Sequence, residues 1–303
     1  MAKPKAWISA ARPRTLPLSI AGIIAAGALT LPSGHFDGLI FTLSIFTAIG
    51  FQVLSNFAND YGDGVKGTDN EDRVGPVRAM QSGALSATAL KKGMYLTAII
   101  TLILAIALIY RAFGAEKLLY ALAFLVLGIA AIIAAVKYTV GDSAYGYRGL
   151  GDLFVFVFFG LVSVVGGYFL YHQSIQLTVV LAAASIGLWS AAVLNLNNMR
   201  DRESDTKAGK NTLAVKLGKQ GSMNYHSFLI LGGSVCAIVA QYLSWDTTGY
   251  WGLLPLVAIV LLNKHLTVAR NTKDHKSLDP QLKVVALSTF GYAVLLLLAN
   301  LLS

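Results

Sequence analysis

Apolar runs near or above the length of a membrane crossing recur along the whole chain, with polar residues confined to the gaps between them. Nine such runs cover roughly residues 15–31, 38–59, 93–110, 118–137, 152–171, 177–198, 224–243, 250–268 and 283–302. A helix at the surface of a soluble protein keeps a polar stripe, and stretches such as 118–136 and 153–170 have almost none. The pattern therefore predicts an all-α polytopic membrane protein with about nine transmembrane helices. It predicts one integral membrane domain over residues 1–303.

Composition agrees. Of the 303 residues, 55% are hydrophobic and 13% charged, about half the charge fraction of an ordinary soluble domain. The net charge of +9 is a topology signal rather than a sign of nucleic-acid binding. With the N-terminus in the cytoplasm, the cytoplasmic segments hold 22 of the 24 Lys and Arg. The outer side keeps only Arg111 and Lys117, and nine crossings put the C-terminus there. The basic arm with Lys3, Lys5, Arg12 and Arg14 leads into a first apolar segment read as a retained helix. The one cysteine, Cys236, sits in an apolar run, so no intramolecular disulfide is possible.

The two longest cytoplasmic loops begin alike. Run two ends in Asn56-Phe-Ala-Asn-Asp60-Tyr-Gly-Asp63, and run six in Asn197-Asn-Met-Arg-Asp201-Arg-Glu-Ser-Asp205. Four crossings separate the motifs, so both reach the same side. This predicts a parallel duplication with halves roughly 15–151 and 152–303 and a site between them. Steps of three and four place Asn56, Asp60 and Asp63 on one helix face, and steps of four do so for Asn197, Asp201 and Asp205. Carboxylates at the edge of a membrane span are costly and point to function. Two facing sets of hard oxygen donors call for a cation, and Mg2+ suits them best when phosphate oxygens complete its shell. A magnesium-bridged diphosphate is the expected ligand. Lys66, Arg73 and Arg78 near the first motif, and Arg200, Lys207 and Lys210 near the second, are candidate diphosphate contacts.

These paired motifs resemble those of the UbiA-type intramembrane prenyltransferases, over essentially the whole chain. The stretch Ser55-Asn-Phe-Ala-Asn-Asp-Tyr-Gly-Asp-Gly-Val-Lys-Gly-Thr-Asp69, followed by Arg73-Val-Gly-Pro-Val-Arg78, is similar to the branch that prenylates 1,4-dihydroxy-2-naphthoate in menaquinone synthesis. So is Tyr145-Gly-Tyr-Arg-Gly-Leu-Gly-Asp152 with Phe158-Phe-Gly160. The resemblance implies a helical bundle with a central cavity, in a bacterial inner membrane. It implies transfer of a polyprenyl group from polyprenyl diphosphate with loss of CO2 and diphosphate. It assigns Asn56, Asp60 and Asp63 to Mg2+ from one side, and Asn197, Asp201 and Asp205 from the other, with the four aspartates catalytic. Many relatives place an acid four residues after the position of Asp63; here that position is Gly67, and the next acid is Asp69.

A carboxylated aromatic acceptor needs a cation for its carboxylate and a partner for its hydroxyl. Lys137 or Arg148 would supply the first, Tyr138 or Tyr145 the second. Anchoring at the membrane interface is the competing explanation for these four residues. The five histidines show no metal-ligand spacing. Two rivals stand beside this reading. One is a prenyltransferase for another acceptor, such as 4-hydroxybenzoate. The other is a cation transporter, which would carry ionisable groups at depth or on both sides. Here the outer side has only Asp37, Glu116 and Asp246.

Overall fold

A computed structural model describes residues 4–68, 75–272 and 274–303, with the backbone alone at His275. Among these residues there are nine helical segments long and apolar enough to cross a membrane. A short α1 (Pro4–Ala11) and a left-handed bend at Arg12, φ 49°, lead into α2 (Leu16–Thr30). Then come α3 (Gly38–Val65), α4 (Ala87–Phe113), α5 (Leu118–Lys137) and α6 (Gly151–His172). The second half comprises α7 (Leu177–Arg200), the short α8 (Arg202–Lys207), α9 (Leu213–Leu243), α10 (Val257–Asn271) and α11 (Asp279–Leu302).

The helices run past the apolar runs at several ends. The third crossing begins at Ala87 rather than near 93, because Ser86 caps it by accepting from the Ala89 amide. The seventh begins at Leu213 rather than near 224, and Gly218 kinks it with φ 69°. In both cases lysines within the first two turns, Lys91 and Lys92 or Lys216 and Lys219, hide the start from a hydropathy pattern. The first motif lies wholly within α3.

Packing places α7 at the centre. Its Trp189, Ile186, Leu196 and Met199 are fully enclosed, and it lies against α6, α9 and α11. In contrast, α5 buries only Ala134 and presents the rest to the surroundings, as a lipid-facing helix does. Close approach of α6 and α7 depends on glycine. A Cβ on Gly160 would stand 2.8 Å from the Gly187 Cα. Here α6 also widens, since its stretch Phe156–Gly166 winds as a π-helix. That widening turns Phe158, Phe159, Val162 and Ser163 toward an internal chamber.

Candidate active site

The first motif is held by three kinds of contact. Asn56 ties α3 to the N-terminal arm: its Nδ2 donates to the Ala11 carbonyl at 2.8 Å and to Thr15 Oγ1 at 3.1 Å. Asp60 accepts from the Ala79 and Met80 amides, each at 3.1 Å, and so anchors the loop after α3. Asp63 pairs with Arg78 Nη1 at 2.7 Å and accepts from the Tyr147 hydroxyl at 2.7 Å. Gly62 lets the end of α5 approach: a Cβ there would sit 2.7 Å from Thr139 Oγ1, which donates to the Ala58 carbonyl.

The second motif does not form one continuous face. The helix breaks at Asp201, φ −93° and ψ 7°, and Asp205 lies on the separate α8. One guanidinium organises the group. Arg200 donates to both oxygens of Asp201, from Nε at 2.8 Å and Nη2 at 2.6 Å. The same residue reaches Asn197 Oδ1 at 2.9 Å and Asp279, which the sequence reading had not singled out. Asp205 has Lys210 Nζ at 3.9 Å.

The two motifs meet at one end of the bundle. Lys210 faces Asp205, acts electrostatically on Asp63, and lies 5.2 Å from the Tyr147 ring centre. Lys66 lies over the same ring at 4.0 Å and donates to the Gly141 carbonyl. Tyr147 thus joins the motifs; its place in a Tyr-Gly-Tyr-Arg stretch was visible, its role was not. Lys207 is exposed on α8. Arg73 and Asp69 lie outside the described residues.

The donor set fits a hard divalent cation. Asn56, Asp60, Asp63, Asp201 and Asp205 are each at most 6% exposed, and buried carboxylates need positive or N–H partners. Among the described residues no three His, Cys, Asp or Glu side chains converge. Arg78, Arg200 and Lys210 pair with Asp63, Asp201 and Asp205. Beside Asp60 a second pocket of about 280 Å³ collects Arg12, Arg14 and Arg78. The sequence marks the arm's arginines only as topology signals; their position against Asp60 depends on the bend at Arg12.

Behind the motifs lies a chamber of about 350 Å³. Gln52, Ser55, Asn59, Tyr138 and Tyr145 are among its polar lining residues, and Phe51, Phe124, Phe154 and Phe158 among its apolar ones. Tyr145 donates to the Ala134 carbonyl at 2.9 Å and stacks on Phe154. Burial pushes the Tyr138 and Tyr145 phenols up, so both keep their protons at neutral pH. Lys137 and Arg148 are exposed and do not line the chamber; the Arg148 carbonyl accepts from Lys216.

Comparison with known proteins now decides the family. The pattern of the UbiA prenyltransferase family matches residues 20–279. The chain belongs to the UbiA prenyltransferase family. Its similarity to a 1,4-dihydroxy-2-naphthoate octaprenyltransferase of Haemophilus influenzae is 46% identity over 284 residues, 92% of this chain and 90% of that one. With the protein of the same name from Escherichia coli it is 41% identical over 283 residues, covering 93% and 91%. The fold matches a UbiA homolog from Archaeoglobus fulgidus solved with DMAPP and Mg2+, with TM-score 0.64 and 14% identity over 96% of this chain and 99% of that one. As a UbiA-family member the chain is a multi-pass membrane prenyltransferase.

Proposed function

We propose that this chain transfers a polyprenyl group from polyprenyl diphosphate to 1,4-dihydroxy-2-naphthoate, releasing CO2 and diphosphate, in a bacterial inner membrane. The observation that carries the proposal is the identity of 41% and 46% to two proteins named for that reaction, over nine-tenths of every chain compared. The polar end and apolar chamber support it chemically. Asn56, Asp60, Asp63, Asn197, Asp201 and Asp205 are the proposed Mg2+ ligands, and the archaeal fold relative was solved with that ion. Bound Mg2+ would offset charge on the diphosphate as its allylic C–O bond breaks.

The protein's own groups do the rest. Lys66, Arg78, Arg200 and Lys210 exchange their carboxylate or carbonyl partners for phosphate oxygens, Lys207 adds a further cation, and together they stabilise the leaving group. Phe51, Phe154 and Phe158 surround the allylic carbon and keep water away. Tyr138 and Tyr145 hold the acceptor ring beside it. The new C–C bond forms at the carboxyl-bearing carbon, and departure of CO2 returns its bonding pair to the ring. The motif end is cytoplasmic by the distribution of Lys and Arg.

The test is direct. Purified protein with Mg2+, octaprenyl diphosphate and 1,4-dihydroxy-2-naphthoate is expected to release CO2 and form the prenylated naphthoquinol. Prenylation of 4-hydroxybenzoate with neither of those products would refute the acceptor assignment.

A further inference from the structure

Outside the two acidic motifs, one carboxylate stands out. Asp152 opens α6 and is 4% exposed, yet neither of its oxygens meets a hydrogen-bond partner among the described residues. A buried carboxylate in that state has no donor to offset its lost hydration, so it is open to accept a proton from a neighbour. Its surroundings indicate which. The stretch that ends in Asp152 builds a socket for the Tyr138 ring. A Cβ on Gly146 would stand 3.0 Å from Tyr138 Cε2, and one on Gly151 would stand 3.1 Å from Cε2 and 3.3 Å from the hydroxyl oxygen. Tyr145 closes the socket edge-on, with ring centres 5.3 Å apart. Gly151 and Tyr138 line the chamber together, and Asp152 follows Gly151 directly. No charged group acts on the Tyr138 phenol more strongly than Asp152. Asp63, Tyr145 and Asp205 also act on the Tyr138 phenol, Tyr225 of α9 lies within reach of Asp152, and α7 offers Leu194 at this point.

We propose that Asp152 is a positioning residue for acceptor activation, drawing the Tyr138 hydroxyl proton toward itself so that the Tyr138 oxygen accepts from the acceptor's ring hydroxyl. The proposal rests on the prenyl-transfer reading and adds a proton path to it. As the ring attacks the allylic carbon, the hydroxyl next to the carboxyl-bearing carbon shifts its proton toward Tyr138, and Tyr138 shifts its own toward Asp152. Electron density moves into the ring, the new C–C bond forms, and the diphosphate leaves with the C–O pair. When CO2 departs, its bonding pair restores aromaticity and both protons return. No net proton is consumed or released. The same relay suits any phenolic acceptor, so it does not select among them.

The experiment compares the parent enzyme with Asp152→Asn, Asp152→Glu and Tyr138→Phe in the assay above. Initial rates are taken across pH, with KM determined for each substrate. Expected for Asp152→Asn is a fall in kcat of roughly 100-fold, an unchanged KM for polyprenyl diphosphate, and loss of the acid limb of the pH profile. Asp152→Glu recovers part of kcat and restores that limb. Tyr138→Phe loses the limb too, and combining it with Asp152→Asn lowers the rate no further. A kcat within threefold of the parent, a retained acid limb, or additive losses in the double variant would overturn the proposal. If Asp152→Asn does not fold, Tyr138→Phe decides alone: the parent's acid limb persisting there refutes it. A parent enzyme that fails to prenylate 1,4-dihydroxy-2-naphthoate refutes the proposed acceptor before any variant is measured.

Discussion

The two acidic motifs have similar spacing in sequence but behave differently in space. The first stays on an unbroken helix, and Asp60 spends both oxygens on the backbone of the next loop. The second breaks at Asp201, and a single residue, Arg200, gathers Asn197, Asp201 and Asp279. One end is therefore a fixed frame built on amides. The other is a charge network whose members are side chains, able to change partners without unfolding a loop. Similar spacing in two motifs does not impose equal geometry, because the chain leaving each motif differs.

The largest effects are expected where the two ends meet. Asp63→Asn and Asp205→Asn should each lower kcat by roughly 10³-fold in the prenyl-transfer assay, since each removes a proposed ligand charge. Near-parent activity in either would mean that the motifs do not share a ligand. Next comes Arg200→Gln, which leaves Asp201 buried without its cation. It should lower unfolding stability by about 3–5 kcal/mol, read as a lowered thermal midpoint in detergent. A midpoint equal to the parent's would show that the network is not held by this residue.

Asp60→Ala separates frame from network. It strands two amides, and a loss of about 1–3 kcal/mol is expected from that alone. Protease cleavage near 75–80 should rise with it, while Asp201→Ala should leave that loop protected. Tyr147→Phe removes a hydroxyl from Asp63 but keeps the ring between Lys66 and Lys210. A fall of about tenfold in kcat/KM for polyprenyl diphosphate is expected, with a midpoint near the parent's.

The smallest effect lies at the opposite end of the bundle. Asp37 caps α3 there, accepting from the Leu39 and Ile40 amides, and pairs with Arg111. Those amides, Ile40 foremost, hold its carboxyl below the usual range. The cap's contribution is therefore complete above the ordinary carboxylate pKa of about 4 and fades as pH falls through the lowered value. Asp37→Ala should cost about 1 kcal/mol at neutral pH, progressively less in acid, and leave prenyl transfer unchanged.

Much of the fold was legible in the sequence. Apolar runs of nearly twenty residues are a strong signal, and all nine crossings fall where those runs lie. Helix starts such as Ala87 and Leu213 were hidden, because caps carry no hydropathy and lysines within the first two turns lower it. The site divides in the same way. The six oxygen-bearing residues announce themselves by spacing and by sitting at span ends. Tyr147, Asp279 and the arginines of the N-terminal arm do not, since their neighbours depend on the path of loops. The histidines show the limit best. His226 and His265 are far apart in sequence and without ligand spacing, yet their Nε2 atoms lie 2.8 Å apart in the bundle interior. Only the packing of α9 against α10 brings them together.

One titration bears hardest on the joint role of the two motifs. An unreactive prenyl bisphosphonate would be bound to the purified protein by calorimetry, with Mg2+ and with EDTA, in the parent and in Asp63→Asn and Asp205→Asn. Binding that requires Mg2+ and weakens at least tenfold in both variants is expected. Equal affinity in EDTA, or loss in one variant with the other unaffected, would contradict a diphosphate held by both ends at once.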